Sequence, residues 1–218
     1  MKRNVKNTKQ RILDAVVVLL SKSGCQDIGI NAIAREAGVS KVLIYRYFGG
    51  LSELLHEFAQ KSDFWPTTEE QLGRRLPETK DMSLAEIGTR YLTAHLKDFR
   101  KRPTTQEIMR WELVQENTLT KELYSVRESR GMELIGYLFD RFQKEAPGMD
   151  VPAIMGLMHA GISYLVLSSK NANQYAGIDL HSDQGWERLE RAIEEMVKII
   201  MTHYQSHAES QDSEKDKE

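Results

Sequence analysis

The chain has 218 residues, is 40% apolar and 28% charged, and carries a formal charge of −2, the profile of a globular protein with room for one large domain or a small one fused to a larger one. No uninterrupted apolar run approaches the roughly 20 residues of a membrane-spanning helix, the longest being Ala15–Leu20. The basic start MKRNVKNTKQ lacks the apolar core and cleavage site of a signal peptide, so the expectation is a cytoplasmic protein with no membrane partner.

A single cysteine, Cys25, excludes an internal disulfide framework. It reads either as a small residue near a helix end or as a redox-sensing thiol. The charge is unevenly spread. Residues 1–50 hold nine Lys/Arg against Asp14, Asp27 and Glu36, a net +6, which leaves −8 for the remainder. A basic head on an acidic body fits either a polyanion-binding surface or ordinary solvated charge.

The chain reads as all-α. A first helix is expected from Asn7 or Thr8, with Ile12, Val16, Leu19 and Leu20 on one face and Gly24 as its stop. A short second helix follows Gly29, with Ile30, Ile33, Ala34 and Ala37 at i, i+3, i+4 and i+7, and ends at Gly38. Ser40 is the expected N-cap of a third helix, in which Val39 and Ile44 hold the N′ and N4 spacing of a hydrophobic staple. Gly49-Gly50 closes that helix. A fourth resumes with Leu54, Leu55 and Phe58, and residues 65–81, with Pro66 and Pro77, are expected to be irregular. Further helices are expected over about 83–101, 104–116, 121–144, 152–169 and 184–205, with 170–183 as a polar loop. The tail HAESQDSEKDKE, residues 207–218, has almost no apolar content and is expected to be disordered.

The informative stretch runs from Ile33 to Phe48. Two short helices meet across Ala37-Gly38-Val39-Ser40. Small residues let them approach, and glycine supplies the left-handed backbone that a sharp turn needs. The outward face of the third helix then carries Lys41, Val42, Tyr45, Arg46 and, toward its end, Tyr47: cations for phosphates, hydroxyls for hydrogen bonds, apolar edges for base methyls. The pattern Ile33-Ala34, Ala37-Gly38-Val39-Ser40, Tyr45, Tyr47-Phe48 resembles the signature of the TetR family of transcriptional regulators, with the close match over roughly residues 8–58.

That resemblance implies a three-helix helix-turn-helix head, residues 1–51, on a helical ligand-binding and dimerisation domain, residues 52–206. It implies that Tyr45 and Tyr47 contact phosphate and groove, that Lys41 and Val42 reach base edges, that Ser40 caps the turn, and that Ile44 and Phe48 are core. Asn31 matches a position used for base contact in some members; equally, it is a helix-start residue. Three positions depart from the family pattern: Gly29 in place of a threonine cap, Leu43 in place of a threonine, and Leu51 in place of a phosphate-binding lysine. The basic arm Lys2, Arg3, Lys6 and Lys9 is a candidate replacement for those contacts.

The resemblance further implies a symmetric homodimer through the last two helices, on stripes that include Ile154, Met158, Ile162, Leu165, Trp186, Leu189, Ile193, Val197 and Ile200. The same stripes also suit packing within one subunit. Tyr91, His95, Phe99, Trp111, Tyr124, Met158 and His159 are candidates to line a pocket for a small-molecule effector, apolar or cationic, with ordinary core packing as the alternative. No phosphate loop, metal-binding spacing or nucleophile elbow occurs, so no enzymatic activity, metal or cofactor is expected. The expected partners are double-stranded DNA, a second copy of the chain and an effector. The expected role is a regulator, with repression favoured over activation.

Overall fold

The computed structural model describes residues 2–24, 28–61 and 64–215, without the side chains of residues 2–4, 23 and 207–215. Cys25 therefore lies outside the described residues. The chain folds as helices α1 (Lys2–Ser23), α2 (Ile30–Ala37), α3 (Lys41–Phe48), α4 (Leu51–Lys61), α5 (Thr68–Leu72), α6 (Leu84–Lys101), α7 (Pro103–Val114), α8 (Thr118–Tyr137), α9 (Phe139–Glu145), α10 (Val151–Ser168) and α11 (Asp183–Lys215). A 3-10 turn spans Leu76–Thr79, and a two-stranded antiparallel hairpin pairs β1 (Gln174–Tyr175) with β2 (Ile178–Asp179). The expected all-α class holds.

Several boundaries differ from expectation for physical reasons. Helix α1 starts at Lys2, not near Asn7, because lysine, arginine and glutamine propagate a helix well without a cap. The expected irregular stretch 65–81 contains α5, which Thr67 and Glu70 start with reciprocal capping bonds. Ser83 and Glu86 do the same for α6. The single helix expected over 121–144 is interrupted at Leu138. The polar loop 170–183 holds the hairpin. The tail expected to be disordered continues the backbone of α11 to Lys215; a helix already nucleated by a buried face extends through good helix formers without further apolar residues. Helix α10 is also long and apolar enough to cross a membrane by length and composition. A search for unbroken apolar runs passes over it because His159 and Ser163 interrupt it.

The chain divides into two compact units: residues 1–65 with 107–129, and residues 66–106 with 130–218. The head thus extends beyond residue 51, because Leu54, Leu55, Phe58 and Ala59 of α4 are buried in its core with Ile12, Val16, Ile33 and Ile44, and Ile108, Leu119, Leu123 and Val126 join the same cluster. Each large side chain so buried contributes about 1.5–3 kcal/mol. In the second unit α6 packs against α5, α10 and α11, burying Leu84, Ile87, Leu92, Leu96, Ile162, Val166, Ile193, Val197 and Met201.

In this second unit Trp186 donates its indole N–H to the Leu180 carbonyl at 2.8 Å, and the first turn of α11 lies so close to β2 that a Cβ on Gly185 would overlap the Asp179 carbonyl. Gly185→Ala should therefore lower stability by about 1–3 kcal/mol. Gly136→Ala, on α8 where an added Cβ meets nothing within 4 Å, should be neutral or stabilising by up to about 1 kcal/mol. Thermal denaturation of the two variants checks the contrast.

Candidate nucleic-acid interface

The turn between α2 and α3 is built as its residues require. Gly38 adopts φ +62°, and its N–H returns to the Ala34 and Arg35 carbonyls, closing α2. The Val39 N–H reaches the Ala34 carbonyl at 3.0 Å. Arg11 of α1 donates to the Ala37 carbonyl at 2.7 Å, placing a cation at the negative end of α2 and tying the turn to the first helix. Nothing in the local sequence signals this role, because the pair is 26 residues apart. Lys22 and Glu36 form a second tie between α1 and α2 at 3.0 Å.

Ser40 occupies the N-cap of α3 with extended backbone, yet its hydroxyl makes no capping bond. Gly29 likewise offers α2 no side-chain cap. Ile44 is fully buried and Phe48 packs on the same core, so α3 is held by its inner face. The outer face carries Lys41, Val42, Tyr45 and Arg46, all exposed; Val42 is 66% and Tyr45 53% accessible, which is unusual for large side chains in a packed three-helix head. Asn31 is exposed on α2. Tyr47 is half-buried against the core, with the Arg46 guanidinium 5.5 Å from its ring centre. Of the residues expected to read DNA, Asn31, Ser40, Lys41, Val42, Tyr45 and Arg46 thus lie exposed, and Tyr47 straddles surface and core. Of the basic arm, Lys6 is exposed, but Lys9 is held by Glu57 at 3.0 Å and lies 4.6 Å over the Phe48 ring.

Residues 12–58 match the family described as bacterial regulatory proteins, tetR family. Over these residues the chain is similar to the TetR family. Over 50 residues it is 40% identical to the uncharacterized HTH-type transcriptional regulator TtgW of Pseudomonas putida, a match covering 23% of this chain and 37% of that protein's length. Two solved structures share its fold. One is a TetR family transcription regulator from Marinobacter aquaeolei, 17% identical, with TM-score 0.55 over 89% of this chain and 97% of that one. The other is the transcriptional regulator FadR from Bacillus subtilis in complex with stearoyl-CoA, 21% identical, with TM-score 0.56 over 86% and 96%. The TetR-type match therefore covers the part of the chain that the turn motif singled out.

The candidate effector residues separate. Tyr91, His95, Phe99 and His159 come together where α6 meets α10. The His95 and His159 rings are 4.6 Å apart, His95 stacks on Phe99, and Tyr91 meets His159 edge-on. Burial, with a smaller effect of the Glu133 charge, pushes the Tyr91 hydroxyl up to about 12. Met158 is half-buried on α10. Trp111 and Tyr124 belong to the other unit, where Trp111 lies against Gly24 and Tyr124 against Arg127. A shallow pocket of about 240 Å³ between α1 and α4 is lined by Leu13, Val17, Phe58 and Phe64, with Gln10, Asp14 and Lys61 at its edge, and includes none of the seven.

The proposed dimer residues also separate. Ile162, Trp186, Ile193 and Val197 are buried in the second unit's own core and offer no surface to a partner. Ile154, Met158, Leu165, Leu189 and Ile200 are half-buried. Helices α10 and α11 each carry apolar residues on two faces, and sequence periodicity selected the inner one. The outer face shows Gly156, Leu157, Ala160, Gly161 and Tyr164 on α10, with Met196 and Ile199 on α11.

One titratable group in the first unit stands apart. Burial holds the Glu112 carboxyl up at about 7, against the opposing pull of Arg127. An acid whose folded pKa is raised binds its proton more tightly in the native state, so its ionisation removes stability as pH rises from the ordinary value of 4.5 through 7. Raising pH from 6 to 8 should therefore cost the wild type about 1 kcal/mol that Glu112→Gln does not lose. Urea denaturation at the two pH values measures the difference, and equal losses would contradict the assignment.

Proposed function

We propose that the protein is a sequence-specific DNA-binding transcriptional regulator that acts as a homodimer in the cytoplasm, a repressor released from a palindromic operator by a small-molecule ligand. The observation that carries this reading is the division of α3 into a buried face, Ile44 and Phe48, and an exposed face of Lys41, Val42, Tyr45 and Arg46, in the family's DNA-reading position. An inward-anchored helix with cationic, hydroxyl and apolar groups outward is what major-groove docking demands. Tyr47 and the uncapped Ser40 hydroxyl are assigned to the flanking phosphates, and Asn31 to a base or phosphate at the start of α2. The reading is one of binding, not catalysis.

Palindromic DNA needs two heads about one helical turn apart, which a two-fold dimer supplies. The outer face of α10 and α11 is assigned to that contact: Gly156, Ala160 and Gly161 allow close backbone approach, while Leu157, Tyr164, Met196 and Ile199 provide apolar area. The half-buried Ile154, Met158 and Leu165 would contribute at its margin. The fold neighbour FadR of Bacillus subtilis binds stearoyl-CoA, which supports a ligand-responsive body here without naming its ligand. An effector acts by favouring one of two head arrangements over the other.

Lys41→Ala and Tyr45→Ala should each weaken binding to an operator, selected from a random-sequence pool, by about 1–3 kcal/mol without changing stability. Gel shift and thermal denaturation check this, and undiminished binding by both would remove α3 from the interface. Deleting residues 1–6 should flatten the salt dependence of binding, by about one in slope for each phosphate that the arm neutralises. Leu157→Glu together with Ile199→Glu should yield folded monomers in sedimentation velocity; dimers would place the interface elsewhere.

A further inference from the structure

The first unit contains a polar site that the DNA-reading face does not use. Glu112 on α7 has a side chain only 7% exposed, and both carboxylate oxygens are sealed from solvent. Arg127 of α8 forms an ion pair with Oε2 at 2.8 Å, and beyond that ion pair neither oxygen has a hydrogen-bond partner. A buried carboxylate ordinarily satisfies several lone pairs. Gln115, which follows the last residue of α7 and whose N–H bonds the Trp111 carbonyl at 2.8 Å, buries a side-chain carbonyl oxygen that also lacks a donor. Glu112 and Gln115 together hold three sealed acceptor oxygens with no hydrogen bond to any of them.

The surroundings define what could fill this demand. Arg127 is the partly exposed member, 28% accessible, and its guanidinium lies 5.4 Å from the Trp65 ring centre and 5.1 Å from that of Tyr124. Aromatic faces that hold a guanidinium also hold an organic ammonium. An anion is disfavoured by Glu112, and a purely apolar molecule would leave all three acceptors unmet. A cation bound at Glu112 would take the place of Arg127, the partner of the pair that reaches solvent.

We propose that Glu112 and Gln115, flanked by Trp65 and Tyr124, form a binding site for an organic ammonium: a compound with a protonated amine carrying N–H donors on an aromatic or alkyl body. This rests on the ligand-responsive reading above and gives the effector its chemical class. The site lies in the same compact unit as the DNA-reading helix. Helix α8, which carries Arg127, is also gripped by α4: Glu122 accepts from Ser52 at 2.6 Å and pairs with His56 at 2.9 Å. Displacing Arg127 therefore acts on the helix that holds α4, and α4 packs directly on α3.

The test uses the full chain with a series of arylalkyl ammonium chlorides that includes phenethylammonium, each paired with a neutral alcohol and a carboxylate of matching shape, and with stearoyl-CoA as an acyl comparator. Thermal shift and calorimetry report binding; gel shift on the selected operator reports release. The wild type should bind members of the ammonium series in preference to their neutral and anionic partners and release DNA. Glu112→Gln should bind them at least about tenfold more weakly, and Gln115→Leu, which keeps the carboxylate, by a smaller factor. Both variants should still bind operator. No ammonium binding across the series, equal binding by Glu112→Gln, or preference for stearoyl-CoA that survives Glu112→Gln would overturn the proposal. Operator binding by the ligand-free wild type is measured separately, so loss of the regulator reading and loss of the ammonium site give different results.

Discussion

The anchoring of α3 by its inner face is the constraint on which the rest depends. Ile44 is fully buried among Ile12, Val16, Ile33 and Leu54, so the helix cannot rotate without removing a large apolar side chain from the core. That lock fixes which residues face outward. Arg11 adds a polar tie from α1 to the Ala37 carbonyl, so the turn is held both by apolar packing and by a cation at the end of α2. The exposure of Val42 and Tyr45 follows from this lock: they are large and apolar or aromatic, and the packing that would cover them lies on the opposite face.

On the proposed reading, the phosphate grip departs from the family pattern at particular residues. Neither α2 nor α3 has a side-chain cap at its N-terminus. Leu43 and Leu51 are half-buried, and Leu51 packs on the core of the first unit, at positions where the family pattern supplies polar groups. Lys9, the arm residue closest to the core, is engaged by Glu57 and Phe48. On the proposed reading, a larger share of the contact would fall to Lys41, Tyr45, Arg46 and the flanking Ser40 and Tyr47.

The first unit takes in residues 107–129, so the site proposed at Glu112 lies in the same compact unit as α3. Glu112 and Arg127 belong to the body that contains α3, and α4 is tied to α8 through Glu122. A buried carboxyl held up at about 7 by desolvation is poorly satisfied.

The sequence by itself determined the helical class, the turn at Ala37–Ser40 and the outward set on α3, because those depend on local signals: apolar spacing at 3.6 residues, a glycine where the backbone is left-handed, and a capping position between two short helices. Tertiary structure alone decided which faces of α10 and α11 are interior, because both helices are apolar on two sides and periodicity cannot rank them. It also decided the division of the candidate effector residues between two units, the tie from Arg11 to Ala37, and the burial of Glu112 without a hydrogen-bond donor. Each of these depends on residues far apart in sequence, and spacing along one helix carries no record of what packs against it.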